Sequence, residues 1–383
     1  MAKLFKPLLK YPGGKGRELK VINENLPQSF HNYIEPFVGG GAVYWDIEAL
    51  KYFINDISVD LMLLYEYVKN QDKIFFNELK LIDENWQKLK YICDIHFEDL
   101  SNKYYSYKNE TYTPQELKTK INEFVDSLSN CFNVPLFTFN GFDDSIFRKQ
   151  LKVNLYGKML RIKNNERKNK RDLQSDELKD NIECSIKSAY YMHFREIYNN
   201  LNQTHNINPQ RRVAIFLFIR EYCFSSMFRF NSNGYFNVPY GGISYNNKNM
   251  ASKIEHYKET HVVDKLKNTI LYKLDFENFL KQIKIQPNDF MFLDPPYDTE
   301  FSEYDKNKFG QEEQKRLANY LIKECPCKFM IVIKQTKYIE SLYKNKGLNI
   351  QYIDKNYSVS FMDRNDKEVV HLIITNYEKG EVE

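Results

Sequence analysis

The sequence predicts an α/β protein in which both ends of the chain build one parallel sheet and a longer, mainly helical segment is inserted between them. In residues 1–64 and again in 263–383, short apolar runs alternate with patterns typical of helices. The intervening residues 65–262 are rich in Asn, Lys, Tyr and Phe and lack that alternation. We therefore expect a discontinuous domain (1–64 and 263–383) and an inserted domain (65–262).

The N-terminal elements follow in order from this alternation. Pro27 closes a first helix, and the apolar run NYIEPFV predicts a strand. Gly39-Gly40-Gly41 supplies a tight turn into a second helix, AVYWDIEALK, and YFIND predicts the next strand. A further helix follows in VDLMLLYEYVKN. Strands that alternate with helices in this way pair in parallel, because a parallel connection requires a crossover.

The C-terminal elements show the same order. FMFLDPPY predicts a strand with the loop that ends it, and QEEQKRLANYLIKE predicts a helix. KFMIVIKQ is a second strand, YIESLYKN a helix ended by Gly347, and EVVHLIITNY a final strand. Parallel sheets bind ligands at the carboxyl ends of their strands, so the residues that follow each strand are candidates for a site.

The middle of the chain contains helical stretches such as RRVAIFLFIREYCF and one signal for a β-hairpin, Asn233-Gly234 between aromatic-rich flanks. The stretch 148–171 is dense in Lys and Arg and contains one acidic residue, Glu166. Residues 160–182 are highly charged and predict an exposed or mobile loop. The basic stretch either contacts nucleic-acid phosphates or is solvated without a partner, and the sequence leaves both open.

Composition limits the class of protein. The 383 residues are 42% hydrophobic and 15% aromatic, which is enough for a substantial core, and the net charge of +4 is mild. The N-terminus lacks the apolar region of a signal peptide, and no segment has the length of a transmembrane helix. The six cysteines lack the spacing of a disulfide framework or of a four-ligand zinc site. We expect a soluble, reduced, cytoplasmic protein with no metal and no membrane.

The glycine turn after the first strand has the context of a nucleotide-type site. The P-loop is excluded because no Gly-Lys-Ser/Thr follows, and the dinucleotide fingerprint lacks its third glycine. Asp56 ends the next strand, where a carboxylate can accept hydrogen bonds from ribose hydroxyls. Tyr11 can pack on an apolar ligand face, and Lys15 can pair with a carboxylate. S-adenosylmethionine, which has an adenosine and a carboxylate but no phosphate, suits this set. A plain strand-to-helix turn fits the glycines as well.

Five motifs occur in the order found in a known enzyme family. KYPGGKG, EPFVGGGAVYW, NDIS, RFNSNGYFNVPYGG and DPPY resemble the motifs of the Dam-like, D12-class (alpha-type) DNA adenine-N6 methyltransferases, and HLIITNY is similar to the family's last strand. The resemblance implies a Rossmann-like S-adenosylmethionine-dependent methyltransferase sheet with an inserted, mainly helical target-recognition domain that contains a β-hairpin. It implies sequence-specific transfer of a methyl group from S-adenosyl-L-methionine to a flipped-out adenine in double-stranded DNA.

The DPPY motif supplies the catalytic candidates. The exocyclic N6 of adenine is a poor nucleophile because its lone pair is delocalised into the ring. Acceptors set against its two N–H bonds stabilise the charge that develops on it, and the candidates are the carboxylate of Asp294 and the carbonyl of Pro295. Pro295 and Pro296 stiffen the loop, and Tyr297 can stack on a base that has left the duplex. By itself, the motif also fits a rigid turn after a strand.

The resemblance also assigns binding residues. For the cofactor these are Tyr11, Lys15, Glu35, Phe37, Gly39, Gly41, Asp56, Ile57, Asp275, Phe276 and Asp294. For DNA they are Arg229, Asn231, Asn233, Pro239 and Tyr240. Arg229 aligns with the arginine that reads guanine in the major groove. Family members that methylate GATC usually carry Tyr-Asn where this chain has Phe224-Ser225, so GATC does not follow as the recognition sequence.

Two other functions are compatible with the motifs. An amino-methyltransferase with this fold could act on cytosine N4, RNA or protein, and a non-catalytic DNA-binding protein could retain the fold. Arg229 within the Asn-Gly hairpin favours a DNA reader, and the intact DPPY favours catalysis. A cognate restriction endonuclease, acting on the same site but not bound to this chain, is one partner that the family leaves open.

Overall fold

The computed structural model describes residues 6–11, 13–131, 145–201, 207–297, 309–356 and 368–378. The chain forms two compact units. Unit 1 comprises Met1–Gln71, Phe228–Phe230 and Tyr257–Glu383, and unit 2 comprises Asp72–Met227 and Asn231–His256. Within the described residues, the sheet belongs to unit 1, and unit 2 is built mainly from helices.

The sheet of unit 1 has seven strands among the described residues. They are β1 Asn32–Glu35, β2 Lys51–Asn55, β3 Thr269–Tyr272, β4 Phe290–Leu293, β5 Lys328–Lys334, β6 Asn349–Asn356 and β7 Glu368–Thr375. Their order in the sheet is β3-β2-β1-β4-β5-β7-β6. The first five in this order pair in parallel, whereas β7 runs antiparallel to β5 and β6. The predicted α/β sheet is confirmed, but the expectation of a wholly parallel sheet is wrong, because β6 and β7 pair as an antiparallel ribbon.

The α-helices of the described residues lie between and beyond these strands. In chain order they are α1 Leu19–Glu24, α2 Ala42–Asp46, α3 Val59–Lys69, α4 Lys73–Lys108, α5 Pro114–Cys131, α6 Ser145–Asn169, α7 Ser175–Asn199, α8 Pro209–Tyr222, α9 Ala251–Lys258, α10 Thr260–Lys267, α11 Phe276–Gln282, α12 Gln311–Lys323 and α13 Lys337–Tyr343.

The strand order reverses between β1 and β4. These strands pair in parallel, with Tyr33 opposite Phe290 and Ile34 opposite Met291. All four residues of β4, FMFL, are buried, as expected for a central strand covered on both faces. The carboxyl ends of β1 and β4 therefore lie side by side at a topological switch point, where open α/β sheets bind their ligands.

Unit 2 is organised around its longest helix. The 36 residues of α4 span about 54 Å at 1.5 Å per residue. Trp86 lies on its buried face, with ring centroids 4.6 Å from Tyr222 and 5.7 Å from Phe218. The indole N–H of Trp86 donates to the carbonyl of Lys248 at 2.9 Å. The aromatic residues that made this part of the sequence unusual thus form the core of unit 2.

The charged stretch 160–182 is helical except at residues 170–174, so the prediction of a loop over the whole stretch is wrong. It lies in α6 and α7, which are joined at residues 170–174. The buried apolar residues of α6 recur every three or four positions and form one apolar face. They are Phe147, Leu151, Leu155, Met159 and Ile162. The many charged residues between them obscure this pattern in the sequence. Glu166 is also buried and pairs with Lys108 at 3.0 Å. At least one charged residue of this stretch, Glu166, therefore forms an ion pair inside unit 2.

The segment predicted as a hairpin forms a turn without regular strands in the described residues 221–242. Asn231 and Gly234 close the turn, because the N–H of Gly234 donates to the carbonyl of Asn231 at 2.8 Å. Gly234 adopts a φ of 73°, which glycine tolerates without a steric cost. Cys223 and Tyr240 form one antiparallel bridge at the base of the segment.

Candidate active site

The DPPY loop leaves the buried strand β4 at its carboxyl end. Asp294 and Tyr297 are half-buried, Pro295 is buried, and Pro296 is exposed. The two prolines fix their own φ angles and restrict the residues before them, so the loop has few alternative conformations. The backbone of Asp294 is therefore restricted at the end of the strand.

Lys15 is the partner of this loop. It begins a short 3₁₀ helix, Lys15–Arg17, and its side chain is 1% exposed. Its ammonium donates to Oδ1 of Asp294, to the hydroxyl of Tyr297 at 3.1 Å and to the carbonyl of Gly13 at 3.3 Å. Burial by itself lowers the pKa of Lys15, but the charges and hydrogen bonds of Asp294 and Tyr297 outweigh it and raise that pKa above its ordinary value. The buried ammonium is thus held by two side chains of the DPPY loop.

His371 and Gln314 also contact the DPPY loop, and neither was predicted. Nε2 of His371, a buried residue of β7, lies 3.0 Å from the hydroxyl of Tyr297. Nε2 of Gln314, fully buried on α12, donates to the carbonyl of Pro296 at 2.8 Å. A polar residue within the apolar run of the last strand was a signal for His371. Gln314 lies in an ordinary helix pattern, and no local signal distinguishes it.

The glycine turn after β1 is packed against protein atoms. Gly39 and Gly41 adopt φ angles of 49° and 73°. A Cβ on Gly41 would lie 2.6 Å from the hydroxyl of Tyr65, and one on Gly40 would lie 2.9 Å from the carbonyl of Leu9. Glycine is therefore required here by the conformation and by close packing within unit 1.

Asp56 ties the glycine turn to the end of β2. Its Oδ2 accepts from the N–H of Gly39 at 3.0 Å, and its Oδ1 accepts from the N–H of Ser58 at 2.9 Å. Its side chain is half-buried, and the neighbouring Ile57 is 41% exposed. This carboxylate is thus oriented at the carboxyl edge of the sheet, where the sequence predicted an acceptor for ribose hydroxyls.

Glu35 ends β1 and is buried. Burial raises the pKa of Glu35 well above its usual range, and the nearby carboxylates of Asp294 and Asp56 raise it further. A hydrogen bond from the hydroxyl of Tyr33, at 2.8 Å, acts in the opposite direction. The surroundings of Glu35 thus oppose its ionisation, and the carboxyl groups of Glu35, Asp294 and Asp56 are close enough to interact electrostatically.

Aromatic rings lie around Phe276, one of the residues predicted to bind the cofactor. The ring centroids of Phe37 and Phe276 are 5.5 Å apart, and Phe309 lies 5.4 Å from Phe37. Asp275 caps α11 by accepting from the N–H of Glu277 at 3.1 Å. Arg316 donates to Asp275 at 2.9 Å, and its guanidinium lies 5.0 Å from the centre of the Phe276 ring. Asp275 thus has a structural role, whatever else it contacts.

The predicted DNA-binding residues differ in exposure. Arg229, Asn231, Asn233 and Pro239 are exposed, whereas Tyr240 is 8% exposed. Oδ1 of Asn231 accepts from the N–H groups of Asn233 and Tyr235, at 3.0 and 2.9 Å, so this side chain shapes the turn. The ring of Tyr240 packs 5.6 Å from Trp86 and belongs to the core of unit 2.

Comparison with known proteins identifies the family. The family model of the D12 class N6 adenine-specific DNA methyltransferases matches residues 11–185 and 151–359. The chain belongs to this class. The D12-class assignment agrees with the motifs and with the sheet of unit 1, and it makes the chain a sequence-specific DNA adenine-N6 methyltransferase.

Several curated relatives of this D12-class enzyme align along most of its length. The Type II methyltransferase M.MjaIII of Methanocaldococcus jannaschii is 27% identical over 388 positions, covering 97% of this chain and 99% of the relative. The Type II methyltransferase M.CviBI of Paramecium bursaria Chlorella virus NC1A is 28% identical, with 97% and 100% covered. The DNA adenine methylase of Haemophilus influenzae is 23% identical, with 90% and 86% covered. In the described part of the D12-class chain, no helix is long and apolar enough to cross a membrane.

Proposed function

We propose that the methyl donor is S-adenosylmethionine and that the acceptor is N6 of a flipped-out adenine. The proposed catalytic residues are Asp294, Pro295, Pro296 and Tyr297. The observation that carries this proposal is the buried ammonium of Lys15, which contacts both polar side chains of the DPPY loop at the switch point of the sheet. Enzymes place buried, charged pairs of this kind in active sites more often than elsewhere, because burying a charge is costly.

Asp294 and Pro295 act as the acceptors for the amino group of the adenine. Lys15 binds Oδ1 of Asp294, and the other carboxylate oxygen accepts the hydrogen bond from N6. The Pro295 carbonyl accepts the second N–H. Two fixed acceptors pull N6 from its planar form and stabilise the positive charge that develops on it. Because the strand end and the prolines hold both acceptors, little reorganisation is needed when the base arrives.

Lys15 holds the loop in this arrangement. An ammonium has three N–H donors, and Asp294, Tyr297 and Gly13 supply three acceptors. Pairing Lys15 with a carboxylate of the cofactor, as the sequence suggested, would require it to give up one of these contacts. We therefore assign Lys15 chiefly to the orientation of Asp294 and Tyr297.

The residues around the glycine turn fit the adenosine part of the cofactor. Asp56 supplies an oriented carboxylate for ribose hydroxyls, and Phe37 and Phe276 supply apolar rings for the adenine. Glu35, at the end of β1, supplies a further carboxyl group for hydrogen bonds to the cofactor. Tyr11, Gly39, Gly41 and Ile57 complete the proposed lining. When bound, S-adenosylmethionine supplies an electrophilic methyl group.

We assign recognition of the DNA sequence to the inserted segment 65–262, as a target-recognition domain. We assign catalysis to residues 1–64 and 263–383. Arg229, Asn231, Asn233 and Pro239 are exposed along one short stretch, which suits contact with base edges or phosphates. Tyr240 follows this stretch and is buried in the core of unit 2. Relatives of this chain are named Type II methyltransferases, and one is named modification methylase StsI. We propose that this enzyme likewise protects DNA from a cognate endonuclease with the same site.

The test is methyl transfer by purified wild-type and Asp294→Ala enzymes. Both receive tritiated S-adenosylmethionine and unmethylated plasmid DNA, and the product is digested to nucleosides. We expect N6-methyladenine from the wild type, a loss of at least about a hundredfold in kcat for Asp294→Ala, and cofactor affinity within about threefold of wild type by calorimetry. Glu312→Ala, an exposed carboxylate on α12, is the matched control.

Three results would contradict the proposal. Methylation by Asp294→Ala at the wild-type rate would remove this residue from the chemistry. Methylcytosine in place of N6-methyladenine would identify another target base. Loss of cofactor binding together with activity would place Asp294 in the cofactor site instead of beside the base.

A further inference from the structure

The hydroxyl of Tyr297 has two partners on different parts of unit 1. Nζ of Lys15 lies 3.1 Å from it and Nε2 of His371 lies 3.0 Å from it. An ammonium can only donate, so the Tyr297 oxygen accepts from Lys15. The contact with His371 is a second hydrogen bond, in which Nε2 accepts the phenolic proton or donates to the other lone pair of the oxygen, according to the tautomer of the ring. The three residues therefore form one hydrogen-bonded chain, from Lys15 through Tyr297 to His371.

His371 occupies a rigid part of the sheet. It is 1% exposed and lies in β7, opposite Lys334 of β5 and Ile353 of β6. The next backbone contact, from the N–H of Gln335 to the carbonyl of Val370, continues the β5–β7 pairing. A side chain in the middle of three paired strands has little freedom to move. Nε2 of His371 therefore has a fixed position, from which it can restrain Tyr297 of the DPPY loop in addition to Lys15.

We propose that His371 is a positioning residue that fixes the plane of the Tyr297 ring on which the target adenine stacks. This inference rests on the proposed role of Tyr297 as the stacking surface. The ring turns about its Cβ–Cγ axis, on which the hydroxyl oxygen lies, so the bond from Lys15 alone locates the oxygen but restrains the ring plane weakly. Hydrogen bonds to a phenol oxygen lie preferentially near the plane of the ring, so a second bond from another direction limits that rotation further. Because stacking depends on the angle between the two rings, a fixed ring plane brings N6 to the same place at each turnover.

Lys15 does not supply this restraint by itself. Its ammonium sits on a flexible four-carbon chain and also contacts Asp294 and Gly13. The ring of His371 is planar and lies with its centroid 5.6 Å from that of Tyr297, tilted by 60°. This side chain therefore limits the Tyr297 ring by contact as well as by the hydrogen bond.

The test is a double-mutant cycle with Tyr297→Phe, His371→Leu and the double variant. Tyr297→Phe keeps the stacking ring but removes the hydroxyl. We expect His371→Leu to lower kcat by about tenfold, with cofactor affinity within about twofold of wild type. In the Tyr297→Phe background it should lower kcat by less than about twofold, because the hydroxyl through which it acts is gone. His371→Gln, whose amide can accept or donate the same bond, should recover most of the wild-type kcat.

Thr375→Val separates positioning from general damage to the strand. Thr375 is buried in β7 and donates to the carbonyl of Tyr377 at 2.9 Å, so this variant loses a buried hydrogen bond far along the same strand. We expect its kcat to stay at the wild-type value even if its thermal stability falls as much as that of His371→Leu.

Different results would contradict the positioning role of His371 and the proposed function of the DPPY loop. An equal loss of kcat from His371→Leu with and without the Tyr297 hydroxyl, or no loss in the wild-type background, would show that His371 does not act through Tyr297. Full activity of Tyr297→Ala would instead remove the stacking role of Tyr297 and with it the proposed function of the loop.

Discussion

Lys15 and Asp294 form an ion pair although 279 positions separate them in the sequence. The Lys15 side chain is 1% exposed, whereas that of Asp294 is 20% exposed. Water can therefore reach the carboxylate but not the ammonium. A buried charge has lost its hydration, so it is stabilised mainly by the opposite charge beside it. The pair therefore links the stability of unit 1 to the arrangement of the DPPY loop.

Removal of either member of this pair should destabilise unit 1. Lys15→Met leaves the carboxylate without its cation, and Asp294→Asn leaves a buried ammonium without its counter-charge. We expect each to cost about 3 kcal/mol, with the larger loss for Asp294→Asn, because Lys15 is the more buried partner. The double variant should be more stable than Asp294→Asn alone. Thermal unfolding of the four proteins measures this order, and a double variant that loses the sum of both effects would contradict it.

Asp56→Asn should weaken cofactor binding. The substitution keeps one side-chain oxygen, replaces the other acceptor of the Gly39 and Ser58 N–H groups with an NH2 donor, and removes the charge that strengthens hydrogen bonds from ribose hydroxyls. We expect the Kd for S-adenosylmethionine to rise by about tenfold to a hundredfold, measured by calorimetry. Asp264→Asn, an exposed residue of α10, is the control. Equal affinity for wild type and Asp56→Asn would remove Asp56 from the cofactor site.

Arg229→Ala should relax sequence recognition. An arginine that binds a guanine contributes about 1–3 kcal/mol of discrimination, so activity on the cognate site should fall by about tenfold to a hundredfold while related sites are affected less. Long-read sequencing of plasmid DNA from cells that express each variant reports the methylated contexts. Lys149→Ala, an exposed residue of α6, should leave the contexts unchanged. Identical contexts for wild type and Arg229→Ala would assign Arg229 to phosphate contact at most.

The stability of unit 1 should depend on pH through Lys265. Burial lowers the pKa of Lys265 to about 8, although Glu48, Asp46 and Glu35 act in the opposite direction. The unfolded chain keeps this proton up to its ordinary pKa of 10.5, so between pH 8 and 10.5 the unfolded state binds more protons. The contribution of Lys265 to stability is thus smallest below pH 8 and rises with pH.

Lys265→Met removes this dependence. The melting temperature of the variant minus that of the wild type should fall as the pH is raised from about 7 to about 10, because only the wild type gains stability from the loss of this proton. Scanning calorimetry at several pH values provides the comparison. A difference that stays constant over this range would mean that Lys265 titrates alike in the folded and unfolded states.

Local patterns in the sequence determined much of this protein. The apolar runs of β1, β2, β4 and β5, and the turn residues that end them, are short-range features, and they sufficed to predict the α/β class and to select Asp56 and Asp294 as residues at strand ends. The enzyme family also followed from motifs within single loops. Physical chemistry acts on such features over a few residues, through backbone conformation and the period of apolar side chains.

Long-range packing decided the rest. The charges of α6 obscured an apolar face that is recognisable only when α7 covers it, and the antiparallel direction of β7 depends on its pairing with β6. The partners of the DPPY loop come from three distant segments, at Lys15, Gln314 and His371. No local pattern relates these residues, because the strand order and the helix packing bring them together. The sequence by itself identified the loop to which we assign the chemistry, and the tertiary structure alone decided which side chains contact that loop.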